Sequence, residues 1–200
     1  MDNEFLIRKI EKYADENGVP IMEKESMSFL TEFIKLNNIK NVLEIGTAIG
    51  YSAINMALAG EEVNVTSIER DNKRYIEAIK NVKKLKLDNR VTLVLIDALD
   101  FKTDEKYDLI FIDAAKGQYT KFFEKFENNL IKNGFIITDN IKFHGLVGNE
   151  KDNLSRNLRQ LVTKIEKYIL FLKDNKIFKT RFFDVGDGLA VSKRRKNKNE

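Results

Sequence analysis

Short strand-like runs alternate with longer helix-like stretches along most of this chain, and that alternation constrains the fold more than any other feature. The runs are residues 41–46, 63–69, 91–97, 107–113 and 134–140, rich in Val, Ile, Leu and Phe. Such runs suit strands buried on both faces of a parallel sheet. Between them, 52–58 sets Ala53, Ile54, Ala57 and Leu58 at helical spacing, and 73–85 does so for Tyr75, Ile76, Ile79, Val82 and Leu85. Strand, helix and strand at this interval predict right-handed βαβ units in a doubly wound sheet. The end of the chain departs from the pattern. Residues 177–183, a turn at Asp184-Val185-Gly186-Asp187-Gly188 and residues 189–193 read as an antiparallel hairpin. The expected architecture is a Rossmann-like α/β fold whose seven-stranded, mostly parallel sheet ends in that hairpin.

Two helices, 5–17 and 23–36, precede the first strand and are separated by Gly18-Val19-Pro20. They are expected to cap the carboxyl edge of the sheet, where open α/β sheets bind ligands. No Pro/Gly/Ser linker interrupts the chain, so one domain is expected over 1–200: a cap over 1–38, a core over 39–193 and a basic tail over 194–200. Two hundred residues suffice for a real core. No apolar run approaches the roughly 18–20 residues that span a bilayer. Met1-Asp2-Asn3-Glu4 lacks the positive charge of a secretory signal, and cysteine is absent. These features predict a cytoplasmic protein with no membrane partner. The net charge of +4 comes from 35 basic and 31 acidic residues. Part of the surplus lies in Lys193-Arg194-Arg195-Lys196-Asn197-Lys198, expected to be a solvated end, although basic tails also help proteins meet nucleic acid.

The first run leads through Gly46-Thr47-Ala48-Ile49-Gly50-Tyr51-Ser52 into a helix. Gly46 and Gly50 permit close approach of backbone and ligand, and the helix start offers free N–H groups. The dinucleotide fingerprint fails, because Ala48 stands where the second glycine should let a pyrophosphate touch the backbone. S-adenosylmethionine carries no phosphate and does not need that contact. Glu44 is an acid in an apolar strand and requires a partner, for which the amino acid part of that cofactor is a candidate. Glu69 ends the second strand, where an acid reaches ribose hydroxyls. Asp97 and Ala98 end the third, within reach of adenine. Glu69 and Asp97 also read as simple helix caps taken singly; three acids at three successive strand ends favour a cofactor. Ser52 and Met22 complete the candidate cofactor contacts, and Met22 reads equally as core. Tyr51 is expected to pack on its helix.

The fourth run ends in Asp113-Ala114-Ala115-Lys116 and the fifth in Asp139-Asn140. Neighbouring parallel strands put these ends on one rim. Two carboxylates and an amide oxygen form a hard ligand set suited to Mg²⁺. With one histidine and no cysteine, nothing points to zinc.

Four segments together resemble the cation-dependent O-methyltransferase family, which contains catechol and caffeoyl-CoA methyltransferases. They are Glu44 to Ser52, Asp113-Ala114-Ala115-Lys116-Gly117-Gln118-Tyr119, Thr138-Asp139-Asn140, and Phe182 through Ala190. The resemblance covers nearly the whole chain from about Pro20 onward. It implies a class I methyltransferase fold, S-adenosylmethionine and Mg²⁺ as cofactors, Asp113, Asp139 and Asn140 as metal ligands, and Lys116 as general base. It also implies Asp113 beside the cofactor, and a homodimer, for which Phe178, Phe182 and Phe183 of the hairpin are interface or core residues.

Metal chemistry of this kind needs an acceptor with two adjacent oxygens. Residues 151–173 form a helical stretch with Leu154, Leu158, Leu161, Val162, Ile165 and Ile169 on one side. Arg156, Arg159, Lys164 and Lys167 lie on the other. With Phe143-His144-Gly145 upstream, this stretch is similar to the bacterial tRNA 5-hydroxyuridine methyltransferase branch, which makes 5-methoxyuridine at the wobble position. That similarity implies tRNA as substrate, with Arg156 and Arg159 on phosphates and His144 lining the pocket. A solvated basic face is the plain alternative for those arginines, and a surface position the plain one for His144. The other readings are a small catechol-like or hydroxycinnamoyl acceptor at the same site, and an RNA-binding module without catalysis. The intact Asp113, Lys116, Asp139 and Asn140 disfavour the last.

Overall fold

A computed structural model describes residues 2–149 and 153–195. Five strands, β1 (Asn41–Ile45), β2 (Asn64–Glu69), β3 (Val91–Leu95), β4 (Tyr107–Ile112) and β5 (Leu130–Thr138), run parallel. The hairpin β6 (Phe178–Phe183) and β7 (Leu189–Arg194) completes the sheet in the order β3-β2-β1-β4-β5-β7-β6. Strand β7 pairs antiparallel with β5, which places β6 at the edge. The order reverses between β1 and β4, so a crevice opens beyond their carboxyl ends.

Alternation along the strands divides the interior into two layers. Val42, Leu109, Phe111 and Ile137 pack in one cluster, and Leu43, Ile110, Ile112 and Ile136 in the other. The first layer is covered by α1 (Asn3–Glu16), α2 (Lys24–Leu36), α3 (Tyr51–Leu58) and α4 (Asn72–Lys84), through Ile10, Leu30, Ile54 and Val82. The second is covered by α5 (Tyr119–Phe126) and α6 (Arg156–Asp174), through Phe122, Phe123, Tyr168 and Leu172. Side-chain caps set several helix starts: Asp2 accepts from Glu4 N–H at 3.2 Å and Asp71 from Arg74 N–H at 2.9 Å.

Four expectations are corrected. The first two helices do not cap the rim: their apolar stripes bury against the sheet face and α3, with Phe33 edge-on to Phe135 at 4.9 Å. Only the link between them, Pro20 to Glu23, reaches the crevice. Helix α5 is absent from the sequence reading, since Lys116-Gly117-Gln118 masks its start; Phe122, Phe123 and Phe126 are its buried side. In α6 the buried seam is Val162, Ile165, Tyr168 and Leu172, while Leu158, Leu161 and Ile169 sit at its margins. The basic end is not free before Lys196. Lys193 and Arg194 belong to β7, Arg194 donates to the Glu127 carbonyl with its charge 4.8 Å from the Phe178 ring, and Arg195 N–H bonds Ile177 O at 2.8 Å. The rest of that tail, 196–200, and the start of the basic stretch at Lys151 lie outside the described residues.

Phe178 is core, against Phe123 at 5.0 Å, and Phe183 packs on Phe29 at 5.0 Å. Of the hairpin phenylalanines only Phe182 is exposed. No helix among the described residues is long and apolar enough to cross a membrane.

Candidate active site

Parallel register brings the ends of β1, β2, β3, β4 and β5 to one rim, and a cavity of about 490 Å³ opens there, within the usual span of ligand pockets. Gly46, Thr47, Ala48 and Ser52 form its floor, Glu69, Asp97 and Ala98 one end, and Asp113, Lys116, Asn140, Phe143 and His144 the other. Met22, buried, closes it from the link between α1 and α2. Gly46 is required by contact: at φ +105° any added methyl group would fall on the carbonyl oxygen of Asp113. Tyr51 is buried and also lines the cavity, while its hydroxyl donates to Glu11 of α1 at 3.1 Å.

Glu44 is not on the cavity wall. It is 0% exposed and accepts hydrogen bonds from the hydroxyls of Ser52 and Ser67, and Ser67 in turn pairs with Thr47 Oγ1 at 2.5 Å. It therefore braces the turn from beneath rather than facing a ligand, and Ser52 Oγ is committed to it. Burial pushes the Glu44 carboxyl up to about 8, against the opposing pull of the two hydroxyls. The folded protein then holds a proton that the unfolded chain has already released. Glu44 therefore supports the fold fully below its ordinary value of 4.5, and that support is lost as pH rises through about 8. In EDTA, the melting temperature is expected to fall between about pH 5 and about pH 8. Glu44→Gln should show a shallower fall, measured by differential scanning fluorimetry. Parallel curves would remove Glu44 from this account.

Glu69 and Asp97 both border the cavity, and neither caps a helix: the N-cap of α4 is Asp71. Glu69 accepts from the N–H groups of Ala48, Arg70 and Asp71 at 2.8, 2.9 and 2.8 Å, and still borders the cavity. Asp97 accepts from Leu99 N–H at 2.9 Å and stands 3.6 Å from Arg70. Arg70 and Arg74 on this wall were not anticipated, because exposed arginines after a strand end carry no distinctive pattern.

Behind the opposite end, Asp139 is 1% exposed and is not itself on the cavity wall. Its Oδ1 accepts from Asn140 N–H at 2.7 Å, while Oδ2 is buried without a hydrogen-bond partner. Burial, then the nearby Asp113 charge, pushes Asp139 up to about 8. Asp113 is itself raised by burial, against the pull of Lys116. Lys116 Nζ donates to Asn140 Oδ1 at 2.6 Å and lies 5.9 Å from the Phe143 ring centroid. Asn140, at φ +56°, turns its side chain to this point. Tyr119 adds a hydroxyl donated to the Asp139 carbonyl at 3.0 Å. Among the described residues no three His, Cys, Asp or Glu side chains are grouped as a metal site; the candidate set is two carboxylates and an amide. Those donors nevertheless suit a hard divalent cation, and a buried carboxylate oxygen with no donor is the atom such an ion would satisfy.

His144 borders the cavity with its side chain 71% exposed. Arg156 and Arg159 are exposed at the start of α6 and are not on the cavity wall. Arg159 instead donates to the Leu154 carbonyl at 3.3 Å. Lys164 and Leu161 of α6 lie against Gly117, next to Lys116, and are not on the cavity wall either.

Residues 1–195 match the O-methyltransferase family profile. The chain belongs to this family. Its reaction class is S-adenosylmethionine-dependent O-methyl transfer, and its fold is that of the class I methyltransferases. It is 38% identical to a Staphylococcus aureus protein provisionally named a caffeoyl-CoA O-methyltransferase, over 94% of this chain and 92% of that one, with a TM-score of 0.90. A Bacillus cereus O-methyltransferase in complex with S-adenosylhomocysteine shares the fold at 23% identity, covering 98% and 93%, with a TM-score of 0.83. A caffeoyl-CoA O-methyltransferase of Populus kitakamiensis is 27% identical over 192 residues, 92% of this chain and 81% of the relative.

Proposed function

We propose that this O-methyltransferase uses a divalent cation, Mg²⁺ by preference, at Asp113, Asp139 and Asn140 to methylate one of two adjacent acceptor oxygens. The observation that carries this reading is the buried, partnerless Asp139 Oδ2 beside Asp113 and the Lys116–Asn140 pair. The cation, when bound, lowers the pKa of an acceptor hydroxyl and fixes its position. Lys116 takes that hydroxyl's proton at Nζ. The freed oxygen forms the new C–O bond as the S–CH₃ bond breaks, leaving the donor as the neutral thioether S-adenosylhomocysteine. The backbone of Gly46 to Ala48 supports the donor's amino acid portion, Glu69 receives ribose hydroxyls, and Asp97 with Ala98 frames adenine. Met22 screens the donor from water. Asp113 serves both groups from the boundary between them.

A small acceptor with vicinal oxygens, of the catechol or hydroxycinnamoyl kind, is the reading that the curated relatives support. A second reading, 5-hydroxyuridine at the tRNA wobble position, draws on one specific observation: Lys164 of the basic α6 face lies beside Gly117, the neighbour of Lys116. In that reading Arg156 and Arg159 meet phosphates farther out, and His144 lies along the approach of the base.

Transfer of labelled methyl from S-adenosylmethionine separates these readings. Caffeoyl-CoA, a simple catechol and tRNA bearing 5-hydroxyuridine are offered in parallel, each with Mg²⁺ and with EDTA. Label in the small acceptors that disappears with EDTA supports the first reading. Label confined to tRNA transfers the conclusion to the second, and label that survives EDTA removes the cation from the mechanism.

A further inference from the structure

Asn140, Phe143 and His144 all have positive φ, at +56°, +49° and +55°. Three non-glycine residues in the left-handed region within five positions are held there only when surroundings impose it. The segment they belong to supplies Asn140, the partner of Lys116, and the two rings at the acceptor end of the cavity.

What imposes the conformation is the turn between β6 and β7. Asp187 there is 6% exposed, and its Oδ1 accepts from the His144 N–H at 2.5 Å. Its carbonyl accepts from Lys142 N–H at 2.9 Å, the Gly188 carbonyl from Ile141 N–H at 3.1 Å, and Asp184 from Lys142 Nζ. The other side of the same turn is pinned to α2. Ser26 Oγ donates to the Val185 carbonyl at 3.3 Å, and a side chain at Gly186 would collide with Ser26. Asp187 therefore stands between a fixed turn and a strained segment. It meets that segment at the amide of one of its left-handed residues.

We propose that Asp187 is a positioning residue, whose carboxylate oxygen holds the Asn140–His144 backbone in the conformation that receives the acceptor. It touches neither reacting atom; it acts through the His144 amide. Because the bond needs only an acceptor oxygen at that point, Asp187→Asn preserves it and Asp187→Ala does not. The donor end of the cavity, at Gly46, Glu69 and Asp97, makes none of these contacts.

Asp187→Ala is expected to lower kcat/KM for the acceptor between about 10-fold and about 100-fold, the scale of a misplaced reactant. Asp187→Asn should stay close to wild type, and S-adenosylhomocysteine binding by calorimetry should be unchanged in both. The amide proton of His144 in the wild-type protein should exchange more slowly than that of Gly145, read by NMR. The kinetic arm rests on the acceptor chemistry proposed above, whereas the exchange arm needs no acceptor. If no acceptor is turned over, the proposed function fails while exchange still judges Asp187. Equal damage from both substitutions would assign the effect to charge and overturn the clamp, as would an unimpaired Asp187→Ala or a freely exchanging His144 amide. Should Asp187→Ala not fold, His144 exchange in wild type and Asp187→Asn decides.

Discussion

Asp139→Asn is expected to lower methyl transfer by about 10³-fold while leaving the cation-free protein at least as stable as wild type. The two effects share one cause. Asp139 is buried with one oxygen unsatisfied, and its carboxyl is held at about 8 by burial and by Asp113. Its anionic form is therefore costly without a compensating cation. An amide keeps the volume and an oxygen for Asn140 N–H, but removes the charge that would hold the ion. Above about pH 8, Asp139→Asn should gain about 1 kcal/mol of stability in EDTA. Mg²⁺ should raise the melting temperature of wild type and not of the variant. Thermal melts with and without EDTA, alongside the methyl-transfer assay, check each part. A variant that keeps its activity, or that Mg²⁺ stabilises as well as wild type, would remove Asp139 from the cation site.

Lys116→Arg is the second large effect. Arginine keeps the positive charge but does not release its proton. If Lys116 takes the acceptor's proton, the arginine variant loses kcat by roughly 10²- to 10⁴-fold, as Lys116→Ala should. S-adenosylhomocysteine affinity should be retained in both, because Lys116 bonds to Asn140 at the acceptor end. A Lys116→Arg enzyme with near-normal kcat would make the residue an electrostatic support for the bound acceptor rather than a base. Measuring kcat and donor affinity separately distinguishes the two, since a binding defect alone moves KM.

Much of this site was legible in the sequence because parallel sheets translate linear order into spatial order. Once five buried runs are recognised, their last residues must share a rim, and Glu69, Asp97, Asp113, Asp139 and Asn140 follow. The same logic misjudged Glu44. Alternation puts it on β1, but only three-dimensional packing shows Ser52 and Ser67 folding back to occupy its carboxylate. It misplaced the first two helices as well, because an amphipathic stripe says that a face is buried without saying against what. Arg156 and Arg159 marked a basic helix face correctly, but neither lines the cavity, and packing instead sets Lys164 against Gly117, next to Lys116.

The sequence by itself determined the class of fold, the order of its parallel strands' chemistry and the oxygen-bearing side chains at the ends of β4 and β5. These depend on periodicity and on residue type at strand ends, both local properties. Only the tertiary structure decided which of those groups face the cavity and which brace it from behind. It alone joined Asp187 to His144, 43 positions apart along the chain. A hydrogen bond between distant segments leaves no period in the sequence, because nothing local specifies the approach of a hairpin turn to a loop on another strand.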